Sequence, residues 1–119
     1  MKEYYKLVRD KIPEIIERAG KTAYTKILTE EEYVDALDKK LNEELSEYQA
    51  DKSIEELADL LEMIYAVVKA RGYSVQELEC IRKKKADERG SFDKRIMLKG
   101  VSDNGSDKID LSANHEFKY

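Results

Sequence analysis

The sequence predicts an all-α protein: a four-helix, bundle-like domain built on an antiparallel pair of acidic helices, followed by a short C-terminal extended arm and a tail. Three observations predict it. Ser or Thr is followed three residues later by Glu, the capping box that opens a helix, at Thr29/Glu32, Ser53/Glu56 and Ser74/Glu77. Gly20, Gly72 and Gly90 stand where helices should stop. Between these marks, apolar residues recur at helical spacing.

Asp10 precedes Lys11-Ile12-Pro13, and a proline in a first turn loses nothing because those N–H groups have no acceptor within the helix. The first helix then runs to about Ala19. The second spans about 30–50 and carries Tyr33, Leu37, Leu41, Leu45 and Tyr48 at steps of four, four, four and three, one apolar stripe on an amphipathic rod. The third, 54–71, is polar between Leu57 and Val68 only at Asp59 and Glu62, so it should be central. The fourth spans 75–89. Segments 24–28 and 95–101 contain β-formers at short length, the latter a short strand or an extended arm. Residues 1–99 thus form the helical domain, and 100–119, with little to bury, read as a mobile tail.

At 119 residues there is room for one core. Forty per cent of the chain is charged, against roughly 25% in an average protein, while its hydrophobic content is ordinary, which argues for folded helices with a solvated surface rather than disorder. The net charge of −4 disfavours nucleic acid as a partner. That total hides a division: residues 30–62 hold 13 acids and 3 bases, whereas 82–99 hold 8 bases and 3 acids. The longest apolar run, Met63 to Val68, is far short of the ~20 residues of a membrane span, and no signal peptide is evident at the N-terminus. A lone Cys80 fits a reducing cytoplasm and reads as a buried or semi-exposed, inert thiol. The single His115, in the tail, disfavours a Ser-His-Asp or Cys-His machine.

Glu43, Glu44 and Glu47 form E-E-x-x-E on the second helix, and Glu56 and Asp59 form E-x-x-D on the third. Residues three apart lie about 60° apart around a helix, so each motif projects its carboxylates from one face. Eight residues separate Glu47 from Glu56, which forces an antiparallel hairpin with both motifs near one end. Four carboxylates converging there repel one another, and no sequence neighbour neutralises them. A hard divalent cation would: oxygen-only ligands suit Mg²⁺ or Mn²⁺. A di-iron site would use Glu-x-x-His pairs, and this region has no histidine; an EF-hand starting at Asp103 would put Lys108 where its glycine belongs. The competing structural reading is a solvated acidic face, with Glu56 occupied in its capping box. Asp59 weighs against that, because a carboxylate within an apolar run calls for a buried partner, although Asp59 with Glu62 could instead pair with Lys or Arg from another helix. On the fourth helix, Lys85 and Arg89 share a face, as a polyphosphate clamp requires.

These motifs resemble the all-α nucleotide pyrophosphohydrolase superfamily, the MazG and phosphoribosyl-ATP pyrophosphohydrolase-like proteins, whose signature is E-E-x-x-E followed by E-x-x-D. Tyr5-Lys6-Leu7-Val8-Arg9-Asp10-Lys11-Ile12-Pro13 and Lys85-Ala86-Asp87-Glu88-Arg89-Gly90-Ser91-Phe92 resemble a small stand-alone house-cleaning branch of it. The resemblance covers residues 4–99. It departs from many members in the shorter gap between the acidic motifs and in an Arg-Gly-x-Phe C-terminal motif. It implies Mg²⁺-dependent hydrolysis of a nucleoside triphosphate between its α and β phosphates, giving a monophosphate and pyrophosphate. It also implies metal ligation by Glu44, Glu47, Glu56 and Asp59, with Glu43 auxiliary.

In that chemistry Glu43 or Glu47 would take the proton of the attacking water. Lys85 and Arg89, with Arg9 or Lys11, would neutralise the leaving pyrophosphate. Two alternatives remain at this point: phosphoribosyl-ATP pyrophosphatase activity, and a non-enzymatic helical adaptor or regulator whose acidic and basic blocks pair with each other or with a protein. The apolar third helix and the resemblance together favour a homodimer.

Overall fold

The computed structural model describes residues 4–103, and four helices account for their regular structure: α1 Ile12–Arg18, α2 Glu30–Asp51, α3 Ile54–Ala70 and α4 Val75–Arg89. There is no strand among the described residues, so 24–28 and 95–101 are irregular despite their β-formers. The described residues divide within α4 into two units, one ending at Lys83 and the other beginning at Lys84. Residues 100–103 are irregular, and the remainder of the expected tail lies outside the described residues.

The helix boundaries follow the local chemistry. Pro13 sits in the first turn of α1, and Gly20 follows it with φ +84°, a left-handed conformation that a side chain resists. At the start of α2 the capping box is complete: Thr29 Oγ1 accepts from the Glu32 N–H over 3.2 Å, and Glu32 Oε1 accepts from the Thr29 N–H over 3.0 Å. At α3 only half of it forms. Ser53 Oγ accepts from the Glu56 N–H over 3.3 Å, but the Glu56 side chain does not return the bond. At α4, Ser74 Oγ accepts from the Glu77 N–H over 3.0 Å and donates to the Glu77 carboxylate over 3.2 Å.

Between α2 and α3 lie just two residues, Lys52 and Ser53. Lys52 takes the left-handed conformation, φ 62°, with its ammonium 5.5 Å from the centre of the Tyr48 ring. That reversal lays α3 antiparallel against α2. Asp38 meets Arg71 over 3.1 Å at one end of the pair, while Glu44 approaches Glu56 at the other.

The inward face of α2 is not quite the stripe that hydropathy marks. Leu37 is 2% exposed, Leu41 and Tyr48 are partly covered, and the fully covered residue between them is Glu44, whereas Leu45 is 40% exposed. The third helix is also less enclosed than its composition predicts. None of its residues is buried, and Ile54, Leu57, Leu61 and Ile64, at steps of three, four and three, form an uncovered apolar stripe. Leu37 is the one buried hydrophobic residue among those described. No helix of the described residues is long and apolar enough to cross a membrane. Cys80 is exposed.

Candidate metal centre

Helices α2 and α3 bring three carboxylates together. Glu44, Glu56 and Asp59 each offer an oxygen, and these oxygens lie within 4.8 Å of one another. Glu44 projects from the α3-facing side of α2. Glu56 and Asp59 stand one turn apart at the start of α3, where the half-formed cap leaves the Glu56 carboxylate free to turn toward Glu44. Glu44 Oε2 and Glu56 Oε2 are both shielded from solvent and lack any hydrogen-bond partner. The Glu44 side chain is itself nine-tenths buried.

Electrostatics at the site follow from that crowding. Burial pushes the Glu44 carboxyl above its ordinary value, the Lys40 ammonium pulls it down, and the charge of Glu47 adds to the rise. Burial also raises the Glu56 carboxyl, helped by the charges of Asp59, Glu44 and Asp51, with Glu47 opposing. Glu47 thus bears on the ionisation of both neighbours while standing outside the converging set of three. Glu43 lies at the margin, half-buried.

Two sequence expectations need correction here. The first is that nothing close in sequence neutralises the cluster: Lys40, one turn before Glu44, reaches Glu44 Oε1 at 3.3 Å and Glu43 at 3.5 Å, with its own side chain mostly buried. Spacing of i, i+4 and i, i+3 on one helix carries that signal in the sequence. The second is that Asp59 demands a buried partner. Its partner is Arg9, whose Nη2 donates to Asp59 Oδ1 over 2.7 Å, and both side chains are about half exposed. Lys6, on the same irregular N-terminal segment, stands 3.9 Å from Glu43. Neither Lys6 nor Arg9 could be placed beside the carboxylates from spacing, since about 40 to 50 residues separate them from their partners.

Lys11 is the N-cap of α1 and makes no capping bond with its side chain. Lys85 and Arg89 belong to the second unit, where both are exposed and one turn apart at the end of α4.

The donor set suits a hard divalent cation. All three groups are carboxylates, and two of their oxygens want a partner.

Comparison with known proteins adds one relative. A stretch of 44 residues, 37% of this chain, is 50% identical to an uncharacterized protein of Mycolicibacterium smegmatis (strain ATCC 700084 / mc(2)155), and it spans 45% of that protein. The chain therefore matches less than half the length of this relative. No family model matches, and no solved structure matches.

Proposed function

We propose that the protein is a Mg²⁺-dependent nucleoside triphosphate pyrophosphohydrolase that cleaves the α–β phosphoanhydride, releasing a nucleoside monophosphate and pyrophosphate, in a house-cleaning role toward noncanonical nucleotides. One observation carries this reading: Glu44, Glu56 and Asp59 converge with two desolvated oxygens left unpaired, an arrangement costly to the fold unless a cation completes it. The resemblance of E-E-x-x-E and E-x-x-D to the pyrophosphohydrolase signature supplies the reaction.

Glu44, Glu56 and Asp59 would hold the cation, with Glu47 as a fourth ligand or as the base. When bound, a divalent cation supplies charge neutralisation for the triphosphate and a lowered pKa for water. Glu47, whose charge bears on Glu44, would accept the proton of the attacking water, and Glu43 is the alternative base one turn earlier. Lys85 and Arg89 are the phosphate ligands proposed for the second unit, and Mn²⁺ is the natural substitute for Mg²⁺.

The test is a screen of nucleotides, phosphoribosyl-ATP included, with purified protein, Mg²⁺ and pyrophosphate detection. Release from at least one nucleotide, lost in Asp59→Asn, is the expected outcome; a mutant that releases pyrophosphate at the wild-type rate sinks the assignment. The exposed apolar stripe of α3 favours a second reading, a helical adaptor. That reading predicts no change in melting temperature with Mg²⁺, whereas a carboxylate cage gains stability when metal binds.

The same stripe supports a homodimer. An apolar row on one helix is self-complementary across a two-fold axis, and a second copy of this chain covers it with no other partner required.

A further inference from the structure

We propose that Arg9 is an internal stand-in for the cation at Asp59, displaced when the metal binds and thereby released to take a phosphate of the substrate. The inference rests on the reading of Glu44, Glu56 and Asp59 as a metal centre, and it assigns Arg9 a coupling role that the centre alone does not imply.

Arg9 Nη2 lies 2.7 Å from Asp59 Oδ1, so the guanidinium already holds one of the three groups whose oxygens converge. A dication and a guanidinium sharing one carboxylate stand a few ångströms apart and repel each other. Asp59 therefore exchanges one positive partner for another rather than serving both. The exchange is cheap on the Arg9 side. Both side chains are about half exposed, and Arg9 sits on irregular backbone before α1 rather than within a helix. The segment stays tethered nearby, because Lys6 is 3.9 Å from Glu43 and α1 begins three residues after Arg9.

Once released, Arg9 is an unpaired guanidinium a side-chain length from the cation, where the negative charge of a polyphosphate must sit. Phosphate offers the same bidentate oxygen pair that the carboxylate did. The charges balance at each stage: Arg9 with Asp59 before, then the cation with Asp59 and Arg9 with phosphate. The consequence is an order of events in which the cation has to arrive before Arg9 can contribute to polyphosphate binding. A purely orienting role for Arg9, holding Asp59 in place for the metal, predicts the opposite effect of its removal on metal affinity.

The experiment uses the full-length chain and no nucleotide. Mn²⁺ alone is titrated calorimetrically into wild type, Arg9→Gln, Arg9→Lys and Asp59→Asn, and inorganic tripolyphosphate is then titrated with and without Mg²⁺. Arg9→Gln should bind Mn²⁺ more tightly, by up to about fivefold, the equivalent of an exposed ion pair of about 1 kcal/mol. With Mg²⁺ present, the same variant should bind tripolyphosphate about tenfold more weakly, as expected for one lost charge-assisted contact. Without Mg²⁺, wild type and Arg9→Gln should bind tripolyphosphate alike. Arg9→Lys, which keeps the charge, should fall between wild type and Arg9→Gln in both titrations. Weaker or unchanged Mn²⁺ binding in Arg9→Gln, while wild type binds and Asp59→Asn does not, overturns the exchange and leaves the metal centre standing. No Mn²⁺ binding by wild type overturns both.

Discussion

Glu44 is the residue on which the proposed site turns. Its side chain is buried, one oxygen is met by Lys40, and the other has nothing to bond. In the metal-free protein such a group works against folding near neutral pH, because burial raises its pKa and the folded state becomes the stronger proton binder. Glu56 is displaced in the same direction. Stability of the metal-free protein should therefore fall as pH rises from the ordinary carboxyl value of 4.5 through the raised values of these two groups. Glu32 and Glu79 are shifted the other way, Glu32 by its bonds to Thr29 and Glu79 by Arg82, so acidification below 4.5 removes stability instead. A maximum in melting temperature at mildly acidic pH is the expected profile. Glu44→Gln removes the buried charge. The metal-free variant should melt above wild type at about pH 7, with the difference shrinking toward about pH 5. Mg²⁺ should raise the melting temperature of wild type and leave the variant unmoved; a variant that responds to Mg²⁺ as wild type does excludes Glu44 as a ligand.

At the scale of the element, the capping residues do separate jobs at the two helices of the hairpin. The Thr29 box closes on itself and lies at the end of α2 remote from the carboxylates, with 15 residues, or about 22 Å of helix, between Thr29 and Glu44. Thr29→Ala should cost about 1 kcal/mol in urea denaturation and leave Mn²⁺ affinity as it was. Ser53 caps α3 three residues before a ligand, and its one-sided box is what frees the Glu56 carboxylate. Ser53→Ala should carry a similar stability cost and, in addition, weaken Mn²⁺ binding measured by calorimetry. Equal metal affinities for the two variants would show that the cap plays no part in setting Glu56.

For the whole molecule, the decisive fact is how little the described chain encloses. Leu37 is the one buried hydrophobic residue among the described residues, and the apolar helix α3 leaves Leu57, Leu61 and Ile64 about 40% exposed. Folded domains are stable by only about 5–15 kcal/mol, so uncovered apolar area on that scale matters. If a second copy covers the stripe, light scattering on a sizing column should give a dimer at micromolar concentration. Leu61→Glu should shift it to monomer and lower its melting temperature, because a charge in the middle of the stripe cannot be desolvated there. A wild-type protein that runs as monomer removes the dimer reading.

The helix starts and stops, and the presence of E-E-x-x-E and E-x-x-D on neighbouring antiparallel helices, are determined by the sequence itself. The reason is that caps, Pro13, Gly20, Gly72 and the two-residue reversal act within a few residues of backbone. Which residue of α2 faces α3 is decided by packing. Around the helix, Glu44 lies about 40° from the mean direction of Leu37, Leu41 and Tyr48, and Leu45 about 60°, a difference too small for periodicity to separate when hydrophobicity points to leucine. Lys40 could be read from its spacing to Glu43 and Glu44, but the placement of Arg9 on Asp59 and of Lys6 by Glu43 needs the chain to fold back across some 40 to 50 residues. Long-range ion pairs of exposed side chains leave no period and no motif; only the tertiary structure brings those charges together.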